Sequence, residues 1–191
     1  MLSNKMNRES ILQQMLDSEE TARQLIAGVS NNQGNWQPVA GRSWSIWQCI
    51  EHLSLTNRVY AQALSEGLAN AGTNERTATG PEIKPGWFGR WFLSKIEPPV
   101  GLGVKTKPEA TPAAKGDLAG TLARFVESHE ALRKLVETWD SMDLNRVRYP
   151  NPFLPVVRFP VGTGLLIANA HDRRHLWQAQ RVKEAPGYPK A

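Results

Sequence analysis

The stretch RSWSIWQCIEHLSLTNRVYAQAL, residues 42–64, decides how the rest of the chain is read. Ser45 and Gln48 form a capping-box pair, in which each side chain satisfies a backbone N–H left open at a helix start. Ser43 is an alternative cap just upstream. Ile46, Ile50, Leu53, Asn57, Tyr60 and Leu64 then recur at three- and four-residue steps, the period of an amphipathic helix that runs to about residue 70. His52 sits in the middle of this helix, at the edge of its apolar stripe.

Three more segments share that period. The first covers about residues 5–30, with Ile11, Leu12, Met15, Leu16, Ala22, Leu25, Ile26 and Val29 on its apolar face, and stops at SNNQGNWQP. Another starts after Gly116-Asp117, where Asp117 is a good N-cap, and carries Leu118, Leu122, Phe125, Val126, Leu132, Val136 and Trp139. The last begins near Pro160, a residue suited to a first helical turn, and ends before Pro186-Gly187. Four such helices predict an all-α chain, with residues 1–191 forming one four-helix bundle.

The connection between the second and third helices, residues 71–116, is long and rich in proline and glycine, which permits an up-down-down-up order. It contains an aromatic island, GWFGRWFLSKI, expected to form one or two helical turns of a packed cover, with Trp87 and Trp91 toward a pocket. PFLPVVRF, residues 152–159, is the only β-branched apolar run, and Pro152, Pro155 and Pro160 predict an extended connection there rather than strands.

Composition narrows the function classes. The net charge of +5 and pI near 9.6 come from scattered cations without a dense basic stripe, so no nucleic-acid partner is expected. Steering of a small anionic substrate is the simpler use of that charge. The apolar run Val161–Ala170 is about ten residues, half of what a membrane span needs, so no membrane partner is expected either. A single cysteine, Cys49, excludes a disulfide framework, and MLSNKMNRESILQQM contains no apolar leader, which together point to the cytoplasm. Serine-triad, phosphate-loop and dinucleotide signatures are absent from the sequence.

The remaining chemistry lies in HDRRH, residues 171–175. Histidines four apart stand on one helix face and can share a metal, and His171 and His175 fall on or beside the buried stripe. His52 is the natural third ligand, because bundles assemble metal sites from facing helices. The same pattern also suits buried histidines bonded to their neighbours, and a non-catalytic module that grips a small ligand. A zinc-protease reading fails: Asp172 stands where the motif requires glutamate, and no third ligand follows. Asp172 is expected at the surface, with Arg173 and Arg174. Gln178, three residues after His175, is the best placed to orient its ring. Cys49, one turn before His52, and His129, at the edge of the third helix's apolar face, are further candidates for the pocket lining.

WSIWQCIEHLSL at 44–55 and HDRRHLWQAQRV at 171–182 together resemble the two signature segments of the DinB-like (DinB/YfiT-like) superfamily. The resemblance implies an up-down-down-up bundle with His52, His171 and His175 as a metal triad, usually filled by zinc or nickel. It further implies a small-molecule substrate, a low-molecular-weight thiol as co-substrate in the thiol-dependent transferases of the family, and frequent homodimers. The long aromatic insertion departs from the pattern, so substrate and pocket access do not carry over.

Overall fold

The computed structural model describes residues 6–76, 82–99, 106–137 and 141–190. Trp139 and parts of the long crossover, residues 77–81 and 100–105, lie outside them. The described elements are α1 (Arg8–Ile26), a single turn α2 (Asn31–Gly34), α3 (Ile46–Ala69), α4 (Trp87–Ile96), α5 (Leu118–Glu137), β1 (Arg148–Asn151), β2 (Leu154–Pro160) and α6 (Val161–Lys183). Ser45 and Gln48 close the expected capping box on α3. Asp117 caps α5, its carboxylate accepting from the Gly120 N–H at 2.6 Å.

Side-chain pairs give the direction of each long helix. Glu51 meets Arg124 and Arg58 meets Glu127, so α3 and α5 run parallel. Ile11 pairs with Asn169 and Gln14 with Arg173, so α1 and α6 are parallel as well. Asn57 meets Asp172 while Leu64 packs at Gly164, which makes α3 and α6 antiparallel. The four long helices α1, α3, α5 and α6 therefore form an up-down-down-up bundle. Parallel neighbours α3 and α5 need a connection that returns the length of the bundle, which is why the crossover is long.

The core is two apolar clusters separated by a polar layer. One cluster gathers Ile11, Met15, Leu64, Leu132 and Leu165; the other gathers Leu25, Ile50, Leu53, Phe125 and Val182. Between them lies His129, fully buried, with Nδ1 2.9 Å from Glu19 and Nε2 2.9 Å from Asp172. Arg133 donates to Glu19 at 2.7 Å, and Asn57 donates to Asp172 at 3.1 Å. All four long helices thus contribute to one hydrogen-bonded set.

Two expectations are corrected here. Residues 148–160 form an antiparallel hairpin rather than an extended connection, with Tyr149 opposite Phe159 and Asn151 Oδ1 accepting from the N–H groups of Phe153 and Leu154. In a two-stranded sheet every strand is an edge, so a proline can direct its missing donor away from the partner. The hairpin is held by Tyr149, which enters a notch between α3 and α6: a Cβ on Gly67 would lie 2.8 Å from Tyr149 Cβ, and one on Gly164 2.7 Å from its ring. The aromatic island forms all of α4, a ten-residue helix rather than one or two turns. Phe88 stacks on Phe159 and Phe92 tilts against the same ring, so α4 and the hairpin together cover the first half of α6. That half is buried all round, which explains its unbroken apolar composition.

Burial alone would lower the pKa of His129, but the charges of Asp172 and Glu19 and their hydrogen bonds outweigh it and raise the value to about 9. A raised folded-state pKa gives stability that is complete below the unfolded value and lost as pH climbs through the folded one. The denaturation midpoint is therefore expected to fall between about pH 6.5 and 9, read by urea titration across that window. His129→Gln should remove this slope and cost about 3–5 kcal/mol, because it leaves the fully buried Asp172 carboxylate without a charge partner, while Glu19 keeps Arg133. A midpoint that stays flat across the window in the native protein contradicts a buried imidazolium.

Candidate metal centre

His52 lies in the second turn of α3, and His171 and His175 in the middle of the antiparallel α6, so helix packing brings the three rings together. One ring nitrogen from each lies within 4.8 Å of the others, and the ring centroids are 4.5 to 5.0 Å apart. His52 Nε2 and His171 Nε2 are separated by 3.4 Å.

The outer nitrogens determine where the protons sit. His52 Nδ1 is 2.6 Å from the Ala110 carbonyl, which can only accept, so Nδ1 carries the proton. His175 Nδ1 faces Gln178 Oε1 at 2.9 Å and donates to it in the same way. Thr56 Oγ1 directs its proton to the carbonyls of His52 or Leu53 and lies 3.5 Å from His171 Nδ1. The Nδ1 atoms of His52 and His175 are thus donors, and the inner Nε2 atoms of these two rings hold bare lone pairs. The open lone pair of His52 Nε2 faces His171 Nε2 across 3.4 Å. Ligand nitrogens about 2.0–2.1 Å from a tetrahedral ion are about 3.4 Å apart, so the spacing and the donor set both fit a divalent metal.

Burial keeps the rings neutral. It pushes His52 down to about 4, with the charge of Arg174 adding to the shift and the Ala110 bond opposing it. His171 and His175 are held well below the ordinary imidazole range by burial first, then by neighbouring rings of the cluster and Arg174. Neutral imidazole is the ligating form.

The surroundings revise several expectations. Gln178 stands where the helical spacing placed it, on His175. Asp172 is not a surface residue: it is fully buried and reaches away from the triad into the polar layer. His129 belongs to that layer and does not join the three rings. Cys49 is fully buried in the apolar cluster beside α3, and burial pushes its thiol far up, so it is a small core residue rather than a pocket nucleophile. Trp87 and Trp91 are 75% and 50% exposed on the outside of α4. Arg173 turns to Glu97 and Gln14, whereas the charge of Arg174 reaches all three rings.

Sequence reasoning missed Trp44, Thr56 and the Ala110 carbonyl. Trp44 packs its indole 4.7 Å from the His52 ring and 5.5 Å from His175, and also lines a polar cavity of about 360 Å³ with Gln48, Arg42 and Lys115. Thr56, one turn after His52, was open to the same helical-spacing argument that found Gln178. The Ala110 carbonyl comes from a short 3₁₀ turn in the crossover, and a backbone oxygen leaves no side-chain signal.

A family model described as the DinB superfamily matches residues 14–179, a span that includes all three histidines. The chain belongs to the DinB superfamily. Among solved structures it is similar to YfiT from Bacillus subtilis, described as a probable metal-dependent hydrolase with an unusual four-helix bundle topology. The two share 16% identity with a TM-score of 0.60, covering 95% of this chain and 89% of that one, a likeness of fold. No curated protein matches the chain. No helix among the described residues is long and apolar enough to cross a membrane.

Nitrogen-15 NMR of metal-free protein at neutral pH is expected to show His52 and His175 as neutral Nδ1–H tautomers. A proton on His52 Nε2 would contradict the Ala110 bond and remove the convergent lone pairs.

Proposed function

We propose that His52, His171 and His175 bind one divalent metal, zinc or nickel, through Nε2, and that this DinB-superfamily chain is a metal-dependent enzyme acting on a small molecule. The observation that supports this reading is the convergence of one ring nitrogen from each of three buried or half-buried histidines, with the outer nitrogens of His52 and His175 held by carbonyl-type acceptors. His52, His171 and His175 would hold such an ion, which would supply Lewis acidity to water or to a bound thiol.

The chain's own residues divide the remaining work. The Ala110 carbonyl and Gln178 orient the His52 and His175 rings and hold their tautomers. Trp44 covers those two rings and screens that side from water. Arg174 brings positive charge to the cluster, and Arg42 and Lys115 add more at the neighbouring cavity, which favours a substrate with a carboxylate or similar anionic group. Because Cys49 is buried and its thiol stays protonated, any thiol chemistry here depends on a low-molecular-weight thiol from solution. Thiol-dependent transfer and metal-assisted hydrolysis both use this arrangement. The lone unpaired cysteine suits a reducing cytoplasm.

Metal-free protein prepared without a histidine tag and titrated with Zn²⁺ or Ni²⁺ is expected to take up about one ion per chain. His171→Ala should abolish that uptake, and Gln178→Ala should weaken it by about 10–100-fold without unfolding the protein. Uptake that survives His171→Ala would sink the three-histidine site. Turnover assays with metal-loaded protein, with and without added thiol, then separate transferase from hydrolase.

A further inference from the structure

The aromatic island has a side that the metal centre does not use. On α4 the exposed positions are Trp87, Arg90, Trp91, Ser94 and Lys95, one continuous helical stripe, with exposed Lys84 just before it. Trp87 is 75% and Trp91 50% exposed, which is unusual for two large apolar side chains side by side. They cannot fold back onto the core, because the opposite face of α4 is already committed: Phe88 stacks on Phe159 at 5.6 Å, and Phe92, Leu93 and Ile96 pack against the main cluster. The stripe is therefore an outward helix face of two exposed indoles flanked by cations.

Its charge argues for the kind of partner. Arg90 and Lys95 lie on the stripe, Lys84 lies beside it, and no acidic side chain shares it. The next carboxylate, Glu97, is engaged by Arg173. A second copy of the chain docked here by a two-fold axis would set these cations against themselves. An anionic partner neutralises them, and the net charge of +5 attracts it from a distance. A peptide needs a groove, but neither the polar cavity at Trp44 nor the 550 Å³ groove between α1 and α6 is lined by α4. An outward helix face suits a surface that deforms around it. Tryptophan rings settle at the level of lipid headgroups, apolar body inward and N–H toward water, and flanking Lys or Arg meet the phosphates.

We propose that the outer face of α4 docks the protein on an anionic lipid bilayer, with Trp87 and Trp91 inserted among the headgroups and Lys84, Arg90 and Lys95 on their phosphates. Docking of this kind asks for an amphipathic helix face and not for a span, so it replaces the expectation of no membrane partner without requiring a transmembrane helix. It is independent of the metal centre and does not need the proposed activity to be correct.

The test is co-sedimentation of the full chain with vesicles of phosphatidylcholine alone and with about one-third phosphatidylglycerol. Binding is expected to the anionic vesicles only, to weaken as salt is added, and to shift tryptophan emission to the blue. Arg90→Ser and Lys95→Ser should each weaken it about fivefold. Trp87→Ala with Trp91→Ala should abolish the blue shift while leaving the helical circular dichroism and the urea midpoint close to those of the native protein, which shows that the variant is folded. Equal binding to neutral vesicles, or none to either, overturns the proposal using native protein alone. Binding of polyglutamate in place of vesicles, or a dimer in solution that the tryptophan variant dissolves without any vesicle binding, would assign the face to a protein partner instead.

Discussion

The bundle is organised around one buried cation. His129 sits between Glu19 and Asp172, and Arg133 and Asn57 complete a set drawn from all four long helices. Taking these charges out of water is costly, and an apolar layer of the same volume would be as stable or more so. Their geometry supplies what an apolar layer lacks. Apolar contacts on either side tolerate small slips between helices, whereas the Glu19–His129–Asp172 bonds close in one register only.

That register reaches the candidate metal centre through α6. Asp172 and His171 are adjacent and point about 100° apart on the helix, one into the polar layer and the other toward α3. A rotation of α6 that carried His171 away from His52 would tear Asp172 from His129. The clamp and the triad are thus two faces of one helical segment, HDRRH, and the fully buried pair holds the partly open one in place. Arg173 adds a third tether to Glu97 and Gln14 on the far side.

The crossover does more than connect. Its 3₁₀ turn delivers the Ala110 carbonyl to His52, and α4 with the hairpin closes over the first half of α6. Parallel packing of α3 and α5 makes a long return necessary, and the fold uses that length for both tasks. The same segment exposes its tryptophans outward, so one helix is core on one side and exposed on the other.

Local information decided a good deal. The capping box at Ser45 and Gln48, the period of the four long helices, and the pairing of His171 with His175 and Gln178 all depend on neighbours within a turn or two, where geometry follows from spacing. Tertiary packing decided the rest. Asp172 reads as a surface acid until His129 and Asn57 arrive from 43 and 115 residues away. The strands at 148–160 form because Tyr149 finds a notch made by glycines on two different helices, which outweighs the prolines against them. Trp87 and Trp91 face out because Phe88 and Phe92 win the contact with Phe159. The proton position that leaves the His52 Nε2 lone pair facing the other two rings depends on a carbonyl 58 residues away. Residue identity and spacing set which side chains share a helix face; which of those faces is buried, and against what, is set only when distant elements compete for the same space.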